Sequence, residues 1–163
     1  GGMAIRFDEN DVRPMGRTAA GVRAIRLKEG DEVVAAVRAT DEDAAVLTVT
    51  ENGYGKRTRI GEYSVQNRGG QGLTTYQITQ KTGEIVGAKK VTGEEDILLV
   101  SDDGTIIRME AGSISLLGRA TQGVRLMRQA EGAHVVAMAR TEREASEEET
   151  AEPGESAEEI TEE

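Results

Sequence analysis

The chain repeats itself with a period of about 51 residues, and this repeat restricts the possible folds more than any other feature. VLTVTENGYGKRT at residues 46–58 aligns with ILLVSDDGTIIRM at residues 97–109, and the same offset relates three connectors, GRTAAGV, NRGGQGL and GRATQGV. Repeats of this length are typical of propellers, solenoids and arrays, in which each unit covers the apolar face of its neighbour. We therefore expect three similar units in series.

Each unit has the pattern of β-structure. Short runs of Val, Ile, Leu and Thr are separated by turn pairs such as Asn52-Gly53 and Asp103-Gly104, which tolerate the positive φ angles of tight hairpins. The predicted strands are 4–7, 21–27 and 32–39 in the first unit, 46–50, 55–60, 72–78 and 85–91 in the second, and 96–101, 105–110, 123–128 and 134–140 in the third.

Four-stranded units in tandem predict an all-β, propeller-like fold. Residues 1–140 would form a partial disc with an incomplete blade at 4–39 and two blades at 44–91 and 96–140. Here a blade means one four-stranded unit. A propeller avoids exposed sheet edges by closing a ring, so this number of blades predicts part of a larger disc.

Charge divides the chain into a body and a tail. Residues 1–140 contain 19 Lys and Arg and 19 Asp and Glu, whereas residues 141–163 contain one Arg and 11 Glu. The tail has few apolar residues to bury, so it is predicted to be a disordered acidic extension. It either acts only as a solubilising tail or mimics nucleic-acid phosphates and competes for a basic surface.

Several chemistries lack the residues they require. The chain has no Cys, which excludes disulfides and thiolate metal sites and predicts a reducing, cytoplasmic setting. His134 is the only histidine, so a histidine metal site is not expected. No cofactor is predicted either. Four aromatic residues are too few for a platform that stacks single-stranded bases. Tyr63 is replaced by Val12 and Ile114 in the other units, which indicates packing and not a nucleophile.

ENGYGKRT followed by EYSVQNRGGQGL, with DVRPMGRTAAGV before it and ISLLGRATQGV after it, resembles the C-terminal DNA-wrapping domain of the bacterial DNA gyrase A protein. The resemblance covers residues 4–140 and extends to the acidic tail. It implies a β-pinwheel, a disc of blades that exchange strands, of which this chain would supply the last two blades and most of the one before.

The same resemblance implies sequence-independent binding and wrapping of duplex DNA, in support of negative supercoiling by the holoenzyme. The partners would be double-stranded DNA, the rest of gyrase A and the gyrase B protein, in the bacterial cytoplasm at the nucleoid. The chain would not be an enzyme on its own, because the tyrosine that attacks DNA and the ATPase lie outside it. Neither a membrane nor a small-molecule substrate is implied.

The glycine-rich box of the family, QRRGGKG, is matched in part by QNRGGQG at residues 66–72. Asn67 and Gln71 replace two of its basic residues. Glycines in such a loop either let backbone amides approach phosphate oxygens or allow the chain to cross between blades, and the sequence leaves both open. The residues that agree with the box are Gln66, Arg68, Gly69, Gly70 and Gly72.

Basic residues that recur with the repeat predict a stripe of positive charge along the edge of the disc, which would bind phosphates without reading sequence. The predicted DNA-binding residues are the equivalent set Arg6, Arg57 and Arg108, the equivalent set Arg17, Arg68 and Arg119, and in addition Lys56, Arg59 and Arg125. Two alternatives remain. One is the corresponding C-terminal domain of topoisomerase IV, which engages DNA without strong wrapping, and the other is a propeller-like protein-interaction scaffold.

Overall fold

A computed structural model describes residues 1–144 of the chain. These residues form nine β-strands and three short 3₁₀ turns, and the described part contains no α-helix, so the all-β prediction is confirmed. In the same part, no helix could cross a membrane. The strands are β1 (Met3–Ala4), β2 (Ala45–Thr50), β3 (Tyr54–Arg59), β4 (Leu73–Thr74), β5 (Ile85–Val91), β6 (Asp96–Ser101), β7 (Ile106–Glu110), β8 (Val124–Arg125) and β9 (Val135–Thr141).

Successive units exchange a strand. In the second unit β2 lies between β5 and β3, and the fourth strand of this antiparallel sheet is β8, which comes from the third unit. β8 pairs with β3 through Tyr54 opposite Arg125. The small sheet of β1 and β4 places Met3 opposite Thr74. Met3 and Thr74 are the equivalents of Tyr54 and Arg125, 51 residues earlier in the chain. Each exchange therefore joins one unit to the next, and we call these contacts the first joint (β1 with β4) and the second joint (β3 with β8).

The exchanged strands are much shorter than the sequence predicts. β4 and β8 contain two residues each, against predictions of 72–78 and 123–128. The ladder ends because two successive amides share one carbonyl: the amides of Leu126 and Met127 both donate to Gly53 O, at 2.8 and 3.2 Å. The amides of Thr75 and Tyr76 do the same to Gly2 O in the first joint.

The first unit differs most from its prediction. The predicted strands 21–27 and 32–39 are not strands in the structure. In the second and third units the equivalent segments are β5 and β9, which pair with β2 and β6. The described first unit has no strand equivalent to β2 before residue 32, so residues 32–39 have no such strand to pair with. The predicted tail boundary at 140 also shifts, because β9 runs to Thr141; residues 145–163 of the predicted tail lie outside the described residues.

The core is aliphatic and lies between the sheets of the second and third units. Fully buried side chains from β2, β5, β6 and β9 form it, and each contributes about 1.5–3 kcal/mol by leaving water. Tyr63 is also buried, and its hydroxyl lies 2.5 Å from that of Thr75, which confirms its role in packing. The central members are Leu47, Val49, Val91, Ile97, Leu99 and Val135.

Candidate nucleic-acid interface

The connector glycines serve the crossing between units. Gly72 has a φ of +79°, and a Cβ added there would lie 2.4 Å from Ala4 O. Gly123 has a φ of +72°, and its Cβ would lie 2.5 Å from Gly55 O. A side chain at either position would both strain the backbone and collide with the neighbouring unit. Of the two explanations for these recurring glycines, the crossing between units accounts for Gly72 and Gly123.

Arg6 and Arg57 contact the following unit, at the first and the second joint respectively. Arg57 donates from Nε to Ile114 O at 2.7 Å and from Nη2 to Gly112 O at 2.9 Å. Arg6 makes the equivalent contact with Tyr63 O at 3.2 Å, and it also forms an ion pair with Glu42. Both guanidinium groups therefore satisfy carbonyls of the next unit, which explains their recurrence without DNA.

Arg68 and Arg119 contact the preceding unit, at the first and the second joint respectively. Arg119 donates from Nη1 to Thr74 O at 2.9 Å, and Arg68 donates to Arg23 O, which is the equivalent carbonyl one unit earlier. Arg68 also donates from Nε to Asp11 O at 3.2 Å. The second set of recurring arginines thus connects neighbouring units as well.

Lys56 is predicted to contact DNA, but in the structure its side chain is completely buried. Its ammonium donates to Gly118 O, Arg119 O and Thr121 O at 2.7, 2.5 and 3.0 Å and to Thr121 Oγ1 at 2.9 Å, and it lies 4.9 Å from the centre of the Tyr76 ring. Burial, with a smaller contribution from Arg119, lowers the pKa of Lys56 to about 8. The charge is present at neutral pH, but the connector of the third unit surrounds it.

The remaining members of the two sets lack an adjacent unit in the described chain. Arg108 donates from Nε to Asp96 at 2.8 Å and from Nη2 to Glu142 O at 2.9 Å, and the hydrogen bond with Asp96 raises the pKa of Arg108. Arg17 is exposed on the connector of the first unit. Arg108 is therefore engaged within its own blade, while Arg17 keeps an accessible charge.

The loop at residues 66–72 lies against residues 23–26 of the first unit. Gly69 N donates to Ala24 O at 2.7 Å, and Arg26 N donates to Gly70 O at 2.8 Å. These contacts place the exposed side chains of Arg23 and Arg26 beside the loop. The predicted DNA-binding residues do not include these two arginines, although both recur two units later as Arg125 and Arg128.

Two predicted cations are exposed on or beside β3. Arg59 is exposed at the end of the strand, and its side chain makes no hydrogen bond to any described residue. Arg125 is exposed, lies 5.2 Å from the centre of the Tyr54 ring and donates from Nη2 to Tyr54 Oη at 2.8 Å. Most of the accessible cations therefore do not belong to the two equivalent sets, which are Arg6, Arg57 and Arg108 and Arg17, Arg68 and Arg119.

A comparison with protein families matches residues 1–40, 44–92 and 95–142 to the family described as DNA gyrase C-terminal domain, beta-propeller. The chain belongs to this DNA gyrase C-terminal domain family. It is 51% identical over 141 residues to the DNA gyrase A protein of Staphylococcus epidermidis and 49% identical over 148 residues to that of Staphylococcus aureus. These alignments cover 86% and 88% of this chain but only 16% of each relative.

Solved structures of this gyrase domain and of a related one share the fold. A structure of the DNA gyrase A C-terminal domain matches with a TM-score of 0.80 and 33% identity, over 86% of this chain and 47% of the other. The C-terminal domain of DNA topoisomerase IV matches with a TM-score of 0.81 and 26% identity, over 86% of this chain and 44% of the other. The predicted propeller-like, partial-disc fold is confirmed.

Proposed function

We propose that this gyrase domain binds duplex DNA without reading its sequence and wraps it as part of gyrase A, in support of negative supercoiling by the holoenzyme. The rest of gyrase A and the gyrase B protein are the partners and carry out catalysis, and the setting is the bacterial cytoplasm at the nucleoid. Membership of the gyrase C-terminal family supports this function, and the distribution of accessible cations supports its mechanism.

The observation that carries the proposal is the basic surface around the loop at 66–72, formed by the exposed side chains of Arg23 and Arg26 with the loop backbone. Among the described residues, the amides of Gly70 and Gln71 donate no hydrogen bond. Exposed guanidinium groups and open backbone amides are the donors that proteins direct at phosphate oxygens. The described chain has no α-helix to enter the major groove, so this surface suits phosphate contacts better than base contacts.

Binding of two duplexes with equal length and unrelated sequence tests this proposal. We expect equal affinities that fall steeply with salt, because log Kobs changes with log salt by about −0.9 per phosphate contact. Replacing Arg23 and Arg26 together by Met should make this slope shallower by about two. The control replaces Lys89 and Arg140, on β5 and β9, by Met and removes the same charge elsewhere. A preference for one sequence, or equal slopes for both variants, would contradict the proposal.

Topoisomerase IV is the second candidate, because its C-terminal domain superposes as well as that of gyrase. The partial match of residues 66–72 to the gyrase box favours gyrase. The two functions differ in wrapping, so the linking number of plasmid relaxed and resealed with the protein bound distinguishes them. A gyrase-like domain leaves a change in linking number, and a domain that binds without wrapping leaves none. A protein-interaction scaffold would bind no duplex at all.

A further inference from the structure

We infer that a cavity beside the second joint is a binding site for one phosphate group. The cavity has a volume of about 290 Å3 and lies between the hairpin turn at Asn52 and the turn at Ala130 to His134. Liquid water occupies about 30 Å3 per molecule, so the space accommodates a phosphate and part of its hydration shell. The inference rests on the proposed function only for the source of the phosphate, which we expect to be the DNA backbone.

Two cations meet at this cavity on a single aromatic ring. Arg125 lies 5.2 Å and Lys81 5.4 Å from the centre of the Tyr54 ring, and both line the cavity. Arg125 is fixed there by two hydrogen bonds to Tyr54 Oη, from Nε at 3.2 Å and from Nη2 at 2.8 Å. The ring orients both cations, and each cation–π contact is worth about 0.5–1 kcal/mol at an exposed site.

No carboxylate neutralises this pair within the described chain. Neither Arg125 nor Lys81 has an Asp or Glu oxygen within 4 Å among residues 1–144. Like charges held near one ring repel each other, and an anion between them would remove that repulsion. The contacts of Arg125 with Tyr54 use Nε and Nη2, and the ammonium of Lys81 carries three N–H groups, so both cations keep donors for a ligand.

Neighbouring polar groups are already engaged in positioning the walls. Asn52 Nδ2 donates to Lys81 O at 3.2 Å, and Gln129 Nε2 donates to Glu51 O at 2.9 Å. Asp102 accepts from the amide of His134 at 2.8 Å, and its other oxygen lies 3.8 Å from Nδ1 of the same residue. This carboxylate is therefore directed at the His134 backbone and ring, which leaves the two cations as the charged groups free to bind a ligand.

The joint itself does not require this arrangement. In the first joint the positions of Tyr54 and Arg125 are occupied by Met3 and Thr74, and the strands pair in the same register. By contrast, the arginines that build the joints are present in both. Arg6 and Arg68 serve the first joint, and their equivalents Arg57 and Arg119 serve the second. The Tyr54, Lys81 and Arg125 cluster is thus an addition to one joint, which argues for a ligand and against a purely structural role.

NMR titration of the full chain with inorganic phosphate tests the site directly, with sodium chloride at equal ionic strength as the reference. We expect saturable shifts at the amides of Ala133 and His134. Replacing Lys81 and Arg125 together by Met should weaken phosphate binding at least tenfold. The Lys81→Met single variant should weaken it as well, and it preserves the fold because Lys81 is exposed. The control pair Lys89→Met and Arg140→Met should leave binding unchanged.

The source of the phosphate is read from duplex binding by the same variants. If the backbone supplies it, the Lys81 and Arg125 double variant makes the salt slope shallower by about one. If the double variant loses binding of inorganic phosphate but keeps the salt slope of duplex binding, the result supports the site with free phosphate as its ligand. Phosphate binding by a wild-type chain that binds no duplex would support the site and refute the proposed function. The absence of saturable shifts in the wild type, or shifts retained by the double variant, would overturn the inference.

Discussion

Arg57 and Arg59 lie two residues apart on β3, and the structure assigns them opposite roles. Arg57 donates to two carbonyls of the third unit, whereas the Arg59 side chain is exposed and makes no hydrogen bond to a described residue. We predict that Arg57→Met destabilises the fold with little specific effect on DNA binding, and that Arg59→Met does the reverse. The two variants remove the same charge, so their difference isolates the contacts.

The magnitude for Arg57 follows from its two hydrogen bonds at 2.7 and 2.9 Å. A hydrogen bond to a charged group contributes about 1.5–3 kcal/mol. The guanidinium is partly exposed, so water replaces some of what is lost, and we expect a net decrease of about 2 kcal/mol in the free energy of unfolding. For a chain of this size that corresponds to a fall of about 4–8 °C in Tm. For Arg59 the change should stay within about 0.5 kcal/mol.

Urea denaturation measures the stability of both variants, and duplex titration at a temperature where both are folded measures affinity. Arg59→Met should make the salt slope of duplex binding shallower by about one, and Arg57→Met should leave it within error of the wild type. If Arg57→Met were as stable as the wild type and reduced the salt slope, the recurring arginines would be DNA contacts after all, and our assignment of Arg57 to the joint would be refuted.

Three further predictions concern the joints and the tail. Gly123→Ala should lower the free energy of unfolding by about 3 kcal/mol, because it adds a collision to an unfavourable φ. Gly21→Ala has open space around it and should lower the free energy of unfolding by about 1 kcal/mol. Equal losses in urea denaturation would contradict this difference. The pKa of Lys56 is about 8 in the folded protein and about 10.4 when unfolded, so unfolding takes up a proton in that range and the free energy of unfolding should rise with pH relative to Lys56→Met. A pH-independent difference would refute the shift. Deleting residues 145–163, which carry nine Glu, should tighten duplex binding at low salt and have less effect as the Debye length falls to about 8 Å; equal low-salt affinities would show that the tail does not compete with DNA.

The sequence predicts the long strands well because their signal is local. β2, β5 and β6 agree with the predicted runs to within one residue, since each is a short Val, Ile and Leu segment next to a turn. The absent strands at 21–27 and 32–39 have similar composition. They show that a strand also needs a partner, and partnership is a property of the whole sheet that a local pattern does not contain.

The candidate site was less predictable, because a recurring arginine looks the same whether it contacts phosphates or the carbonyls of the next unit. The recurrence of Arg57, Arg68 and Arg119 predicts phosphate contacts, but a joint that is repeated between units produces the same recurrence. The place of Lys56 in a basic cluster also predicts a DNA contact, and only the structure shows that its ammonium points into the connector at 118–121. Lys81 carried no sequence signal, because its relation to Tyr54 depends on the packing of a distant turn.

Hydrogen exchange of the full chain, with and without a saturating duplex, tests most directly where the DNA lies. We predict new protection in the loop at 66–72 and in residues 23–26 beside it. The joint amides of Arg57 and Leu117, which already donate to Ser115 O and Arg57 O, should exchange at the same rate in both states. Protection confined to the joints, with no change at the loop, would contradict the assignment of phosphate binding to the loop surface.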